Sequence, residues 1–356
     1  MGKHSIGNHK VVCFTLWFAT HNNPRHAALL PKLIPVVQFY KVTLSRQRVI
    51  QALQYRIWHA LKRGLIYPVA LRYFSQRFET LFTLEMDQIS AWPRHKAIVI
   101  DVDDPVFSPT EIRFLNLPNV KAIIVTTERA KEIFQELGVV QPIYVIPQGV
   151  SMDQIDPQKV QQICTQFKRD TSIVVGYHGP TLTLSYDGLR RARQGLDDLD
   201  LLFAAVKEAR NAEQRINLWL LGEPSESVKR YAADEPWIKL FGYIPFAEVL
   251  NYVSNFDIGA YPRAQLVPPG RFSVKIAQYL ACGIPVVSTN VDESFVVREA
   301  GCGIICDSQN DFRRALVELA QSAKRRVELG ASGRGYAAAN LEWSALVRRY
   351  EQIFGY

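Results

Sequence analysis

The sequence predicts an α/β protein made of two doubly wound domains, and three observations carry that expectation. The chain has 356 residues, more than one domain usually holds and close to two. Short β-branched runs alternate with amphipathic stretches, the pattern of parallel sheets with crossover helices. In the second half each strand-like run ends in a glycine or a turn, as in sheets whose carboxyl edges line a crevice.

In chain order, strands are predicted at residues 10–17, 36–43, 97–101, 120–126 and 143–146. Helices are predicted at 46–63, behind Ser45 as N-cap, and at 128–137. The stretch "VIPQGVSMDQIDPQ", with two prolines and a glycine, reads as a connection. The expected domains are therefore residues 1–160 and 161–335, with the final segment 336–356 packing back on the first. In the second domain strands are predicted at 172–177, 216–222, 238–243, 256–261, 284–289 and 302–307.

Composition narrows the class. With 48% hydrophobic and 21% charged residues the chain can build ordinary soluble cores. "VVCFTLWFA" is too short to span a bilayer, and "ALLPKLIPVVQFY" is broken by Lys32 and two prolines. The opening residues run straight into a strand, so no secretory signal is expected. Five scattered cysteines point to reduced thiols and a cytoplasmic protein rather than a disulfide frame or a zinc site.

The net charge of +8 is unevenly placed: residues 1–78 hold 12 Lys and Arg and no acid, Glu79 being the first carboxylate. Such a surface should draw an anionic partner. On the 46–63 helix Ile50, Leu53, Ile57 and Leu61 fall on one stripe, with Arg48, Arg56, Lys62 and Arg63 largely off it and Trp58 beside it. A basic amphipathic helix with an aromatic suits an anionic membrane surface; a stripe packed on the sheet with solvated cations is the other reading. No helix-turn-helix or RNP sequence occurs, so sequence-specific nucleic-acid binding is not expected.

Two stretches carry chemistry. "GRFSVKIAQYLACGIPVVST", residues 270–289, predicts a loop, a helix with Ser273 as N-cap, Gly283 at the position that ends it, and a strand. The amino end of that helix offers unpaired amides and a positive dipole end, flanked by Arg263, Arg271 and Lys275, which suits phosphate. "AIVIDVDDPVF" sets Asp101, Asp103 and Asp104 at the end of a buried strand, where carboxylates need hydroxyls, cations or metal as partners, or cap the next turn.

"SVKIAQYLACGIPVVST" resembles the donor-binding helix of family 4 glycosyltransferases. "VTTERAKEIFQELGVVQPIYVIPQGVS", "VVGYHGP", "LFGYIPFAEVLNYVSNFDIGAYP" and "YAAANLEWSALVRRYEQIF" match further blocks in order, over roughly residues 97–356. The resemblance implies a GT-B fold, two Rossmann-like domains facing across a cleft. It implies a nucleotide-sugar donor whose diphosphate meets the amides around Phe272, Ser273 and Val274, with Arg271 and Lys275 as cations. Gln278 falls where the family places an acid on the ribose, and Gly270 where it places its first acid. His178 and Gly179 of "GYHGP" approach the donor or acceptor, and an arginine of "LRRARQG" (189–195) is a further diphosphate partner. Asp101, Asp103 and Asp104 stand where the family touches the transferred sugar or the acceptor.

The activity so implied is transfer of a sugar to an acceptor hydroxyl, with retention and without a bound metal or other cofactor. Domain closure across 148–170 would exclude water. The acceptor is expected to be a sugar or a lipid-linked molecule, and the protein to sit at the inner face of the membrane through residues 1–78. The alternative is a GT-B chain that has lost activity and serves as a partner subunit.

Overall fold

The structure, a computed structural model, describes residues 10–18, 24–44, 60–167, 172–184, 198–213, 215–263 and 269–356. It divides into two units, residues 1–149 with 270–272 and 343–356, and residues 150–269 with 273–342. The division falls at 149/150, where the sequence suggests 160/161. Val150 N–H donates to the Leu341 carbonyl at 2.8 Å and Met152 N–H to Glu342 at 3.0 Å, which attaches residues 150–152 to the second unit.

The first unit holds a six-stranded parallel sheet: β1 (Val11–Phe18), β2 (Val37–Leu44), β3 (Thr80–Thr83), β4 (Ala97–Val102), β5 (Val120–Val125) and β6 (Ile143–Val145), in the order β2-β1-β3-β4-β5-β6. The two-residue period of each strand separates two cores. Val12, Phe14, Ile98, Ile100, Ile123 and Val125 join one face, under the Tyr67–Phe74 helix. Val11, Cys13, Val99, Ala122 and Ile124 join the other, under the Trp343–Phe354 helix. Strand β3 is absent from the sequence reading, because "TLFT" has only four residues and little alternation to reveal it.

The predicted helix 46–63 falls largely outside the described residues, including Ile50, Leu53, Ile57 and Trp58. Its end is described: Leu61 is exposed, which goes against a stripe packed on the sheet, and Lys62 is buried rather than solvated. A π-helical turn runs over Lys62–Ile66, and the Lys62 ammonium meets Glu85 at 2.5 Å.

The second unit holds another parallel sheet: β7 (Ile173–Leu182), β8 (Ile216–Pro224), β9 (Ile238–Leu240), β10 (Ile258–Tyr261), β11 (Val286–Thr289) and β12 (Gly303–Cys306), in the order β12-β11-β10-β7-β8-β9. Strands β7 and β10 are hydrogen-bonded neighbours, Ile258 opposite Val175 and Gly259 opposite Gly176. The chain winds one way from β7 through β8 and β9 and the other way from β10. A topological switch point therefore lies between their carboxyl ends, where doubly wound sheets bind ligands. All five cysteines are free, and burial pushes the thiols of Cys282, Cys302 and Cys306 up to about 12. Among the described residues no helix is long and apolar enough to cross a membrane.

Candidate active site

In the second unit the switch point is built by the ends of β7, β10 and β11 and by the Val274–Ala281 helix. That helix can lie on the sheet because β10 carries Gly259: a Cβ there would meet the Tyr279 ring at 2.8 Å. The ring reaches across the strand instead, and its hydroxyl donates to the Ala260 carbonyl at 3.1 Å. His178, at the end of β7, is buried and packs edge-to-face on Tyr279 with ring centroids 5.3 Å apart. The next residue, Gly179, lies in a register shift between His178 and Thr181, a bulge of one extra residue on β7 before its pairing with β8 resumes at Thr181 and Glu223.

Ser273 stands at the N-cap as predicted, with extended backbone, but its side chain makes no capping bond to the helix. It engages the Tyr261 hydroxyl instead. Ser273 therefore leaves the first amides of the helix uncapped by its side chain. Lys275, in the first turn, holds its ammonium 5.4 Å from the centroid of Tyr177 and 6.0 Å from that of Tyr261, so two aromatic rings position it. Val274 is half-buried, and Gln278, one turn further along, is buried.

Arg263 does not join this anion-binding end as expected. It is buried against Glu293, with Nε donating to Oε2 at 2.9 Å and Nη2 to Oε1 at 3.2 Å. The Tyr261 hydroxyl also donates to Glu293. Burial and the Glu293 charge hold the Tyr261 phenol well above its ordinary pKa, against the opposing pull of Arg263 and Ser273. The Arg263 amide donates to Thr289 Oγ1 at 2.9 Å, which fastens the end of β10 to β11. Glu293 escaped the sequence reading; the available signal was a carboxylate four residues beyond the end of β11.

The other predicted residues belong to the first unit. Asp101 is 2% exposed, and both its oxygens accept from Arg25 Nε at 3.2 Å. The Tyr350 hydroxyl donates to it at 2.5 Å. Arg25 further donates to the carbonyls of Pro147 at 2.7 Å and Ile146 at 3.0 Å. Burial pulls the guanidinium pKa down, but Asp101, Tyr350 and Asp103 outweigh it and leave the net value raised. Asp101 is thus enclosed in a structural network, which argues against its candidacy for touching substrate. Asp103 is mostly buried, 4.0 Å from Arg25 Nε, and Asp104 is exposed, 3.7 Å from Arg271 Nε.

Downstream, Phe107 adopts a left-handed φ of 55°, held by Glu111, which accepts from the amides of Val106 and Phe107. Gly270 takes φ +83°, and its carbonyl accepts from Thr127 Oγ1 at 2.8 Å. A Cβ at 270 would lie 3.0 Å from Ala130 Cα, so an acidic side chain there would be strained. Phe272 is buried in this unit. The structure therefore gathers His178, Gly179, Ser273, Val274, Lys275 and Gln278 in one unit. It places Asp101, Asp103, Asp104, Arg271 and Phe272 in the other. "LRRARQG" (189–195) lies outside the described residues.

Two parallel six-stranded sheets flanked by helices define the GT-B fold of glycosyltransferases. The chain superposes on Anabaena HepE, solved in complex with UDP and glucose, with a TM-score of 0.71 and 11% identity, covering 97% of this chain and 99% of that one. Sucrose-phosphate synthase from Thermosynechococcus elongatus gives a TM-score of 0.71 at 14% identity, over 97% and 98% of the two chains. Residues 189–322, all in the second unit except 270–272, match the family described as glycosyl transferases group 1. A GDP-mannose-dependent monoacylated alpha-(1-6)-phosphatidylinositol monomannoside mannosyltransferase from Corynebacterium glutamicum is 22% identical over 214 residues. That match covers 58% of this chain and about half, 55%, of the relative.

Proposed function

We propose that this chain is a retaining, metal-independent glycosyltransferase of the family 4 type. In this reading it moves a sugar from a nucleoside diphosphate sugar to an acceptor hydroxyl. The observation that carries it is the start of the Val274–Ala281 helix at the β7/β10 switch point, with its amides unused by Ser273 and Lys275 in its first turn. As the glycosidic bond breaks, negative charge grows on the leaving diphosphate, and preorganised amides and a fixed ammonium stabilise it without rearrangement. His178 and Gly179 stand at the end of β7, with His178 against Tyr279 of the same helix, and Gln278 offers a neutral hydrogen-bonding group to a ribose hydroxyl. The donor class is supported by HepE, solved with UDP and glucose, and by the GDP-mannose-dependent relative. The name of that relative also supports a lipid-linked acceptor, and with it work at the cytoplasmic face of a membrane. Asp103 and Asp104 are our candidates for meeting the acceptor.

Calorimetry of the full chain against UDP- and GDP-sugars, followed by a transfer assay in EDTA, tests the reading. We expect one nucleotide class to bind, Lys275→Ala to weaken it by about tenfold through loss of one charge-assisted contact, and turnover to survive chelation. Binding of no nucleotide would overturn the proposal. Binding without turnover would favour the inactive partner subunit, a reading that Gly270 encourages because its backbone conformation excludes the family's first acid.

A further inference from the structure

The helical segment 60–74 has two faces of opposite character. Tyr67, Leu71 and Phe74 are buried, with Phe74 stacked on Tyr40 at 4.3 Å and packed on Phe14 at 5.5 Å. The outward face carries Leu61, Leu65, Val69 and Tyr73, exposed at 47, 58, 62 and 49%. Their spacing of four sets them along one stripe. Lys62 is buried on Glu85 and so leaves this stripe apolar.

Cations border the stripe. Arg63, Arg72 and Arg77 are exposed, and the Arg77 guanidinium lies 5.0 Å from the Tyr73 ring centroid. Nearby carboxylates are few. Arg63 meets Asp87 at 2.6 Å, and Glu79, the first acid of the chain, meets Lys96 at 3.1 Å. An apolar stripe with an aromatic at one end and a rim of one sign of charge is complementary to an anionic bilayer, which offers phosphates above hydrocarbon. A protein partner would need both an apolar ridge and a matching acidic border.

We propose that this face docks on an anionic lipid bilayer, with Leu65, Val69 and Tyr73 seated at the headgroup–acyl boundary and Arg72 and Arg77 on lipid phosphates. The inference rests on the membrane association proposed above and is independent of donor chemistry, so its test contains no nucleotide. The full chain is sedimented with phosphatidylcholine vesicles, with and without about 30% phosphatidylglycerol, at low salt and at about 0.5 M salt. Wild type should bind only the anionic vesicles and release in high salt. L65E/V69E and R72Q/R77Q should each weaken binding by more than about tenfold. Unchanged circular dichroism would show that these exposed substitutions leave the fold intact.

Tyr73→Trp should give indole fluorescence quenched by brominated acyl chains. Wild type that ignores anionic vesicles overturns the proposal, and so does binding that L65E/V69E leaves unchanged, which would place the contact elsewhere in the basic segment. Loss of a dimer in L65E/V69E, with no vesicle binding by wild type, would make the face a subunit interface and overturn it equally.

Discussion

Asp101 has the burial and the charge expected of a catalytic carboxylate, yet its partners describe a different task. Arg25 reaches it from 76 residues upstream and Tyr350 from 249 downstream, and Arg25 also holds the carbonyls of Ile146 and Pro147. The pair is fully enclosed, with both side chains at 0% exposure. Removing one member of such a pair leaves a buried charge unmatched and costs about 3 kcal/mol or more. Asp101→Asn should therefore lower the denaturant midpoint of the first unit by a clear margin while nucleotide affinity stays at the wild-type value. The reverse result, intact stability with lost turnover, would return Asp101 to the list of groups that touch substrate. The acid run itself was legible in the sequence. What it binds was not, because partners so distant along the chain leave no local pattern, and the same holds for Glu293 with Arg263.

At the scale of elements, legibility followed length and periodicity. Strands of six or more residues with alternating or β-branched composition, such as β1, β4 and β8, announced themselves, and so did the Val274–Ala281 helix between Ser273 and Gly283. The four residues of β3 did not, and neither did the π-turn at Lys62–Ile66 or the burial of Lys62. Ser273 was readable as an N-cap by position but not by bonding, since its preference for Tyr261 depends on where β10 ends. The seating of that helix offers a test. Gly259→Ala would push a methyl into the Tyr279 ring, which sits 2.8 Å from the ideal Cβ position. Overpacking of this kind costs about 1–3 kcal/mol. The ring must move, and the helix amino end with it. We expect both a lower melting temperature and weaker nucleotide binding, and Tyr279→Phe in the same background should not restore the affinity. Wild-type affinity in Gly259→Ala would show that the helix start is positioned by other contacts.

For the whole molecule, the positive charge and the candidate donor site lie in different units: the net +8 comes from residues 1–150, while the second unit supplies His178, Ser273 and Lys275. A nucleotide held by the β7/β10 switch point stabilises the unit that contains it. At about 100 times its dissociation constant the gain is about 2.7 kcal/mol, and amide exchange reports that gain wherever opening requires release of the ligand. Exchange with saturating nucleotide should therefore slow at residues 176–179, 258–263 and 273–278. Strand β4, in the first unit, should keep its unliganded rate, because its hydrogen bonds to β3 and β5 owe nothing to the helix start. Protection spread equally over β4 would show that the ligand is held by both units, and protection confined to β4 would remove the donor from the switch point altogether. Lys275→Ala supplies the control: at the same nucleotide concentration its weaker binding should shrink the protection at 273–278 while unliganded exchange stays as in wild type.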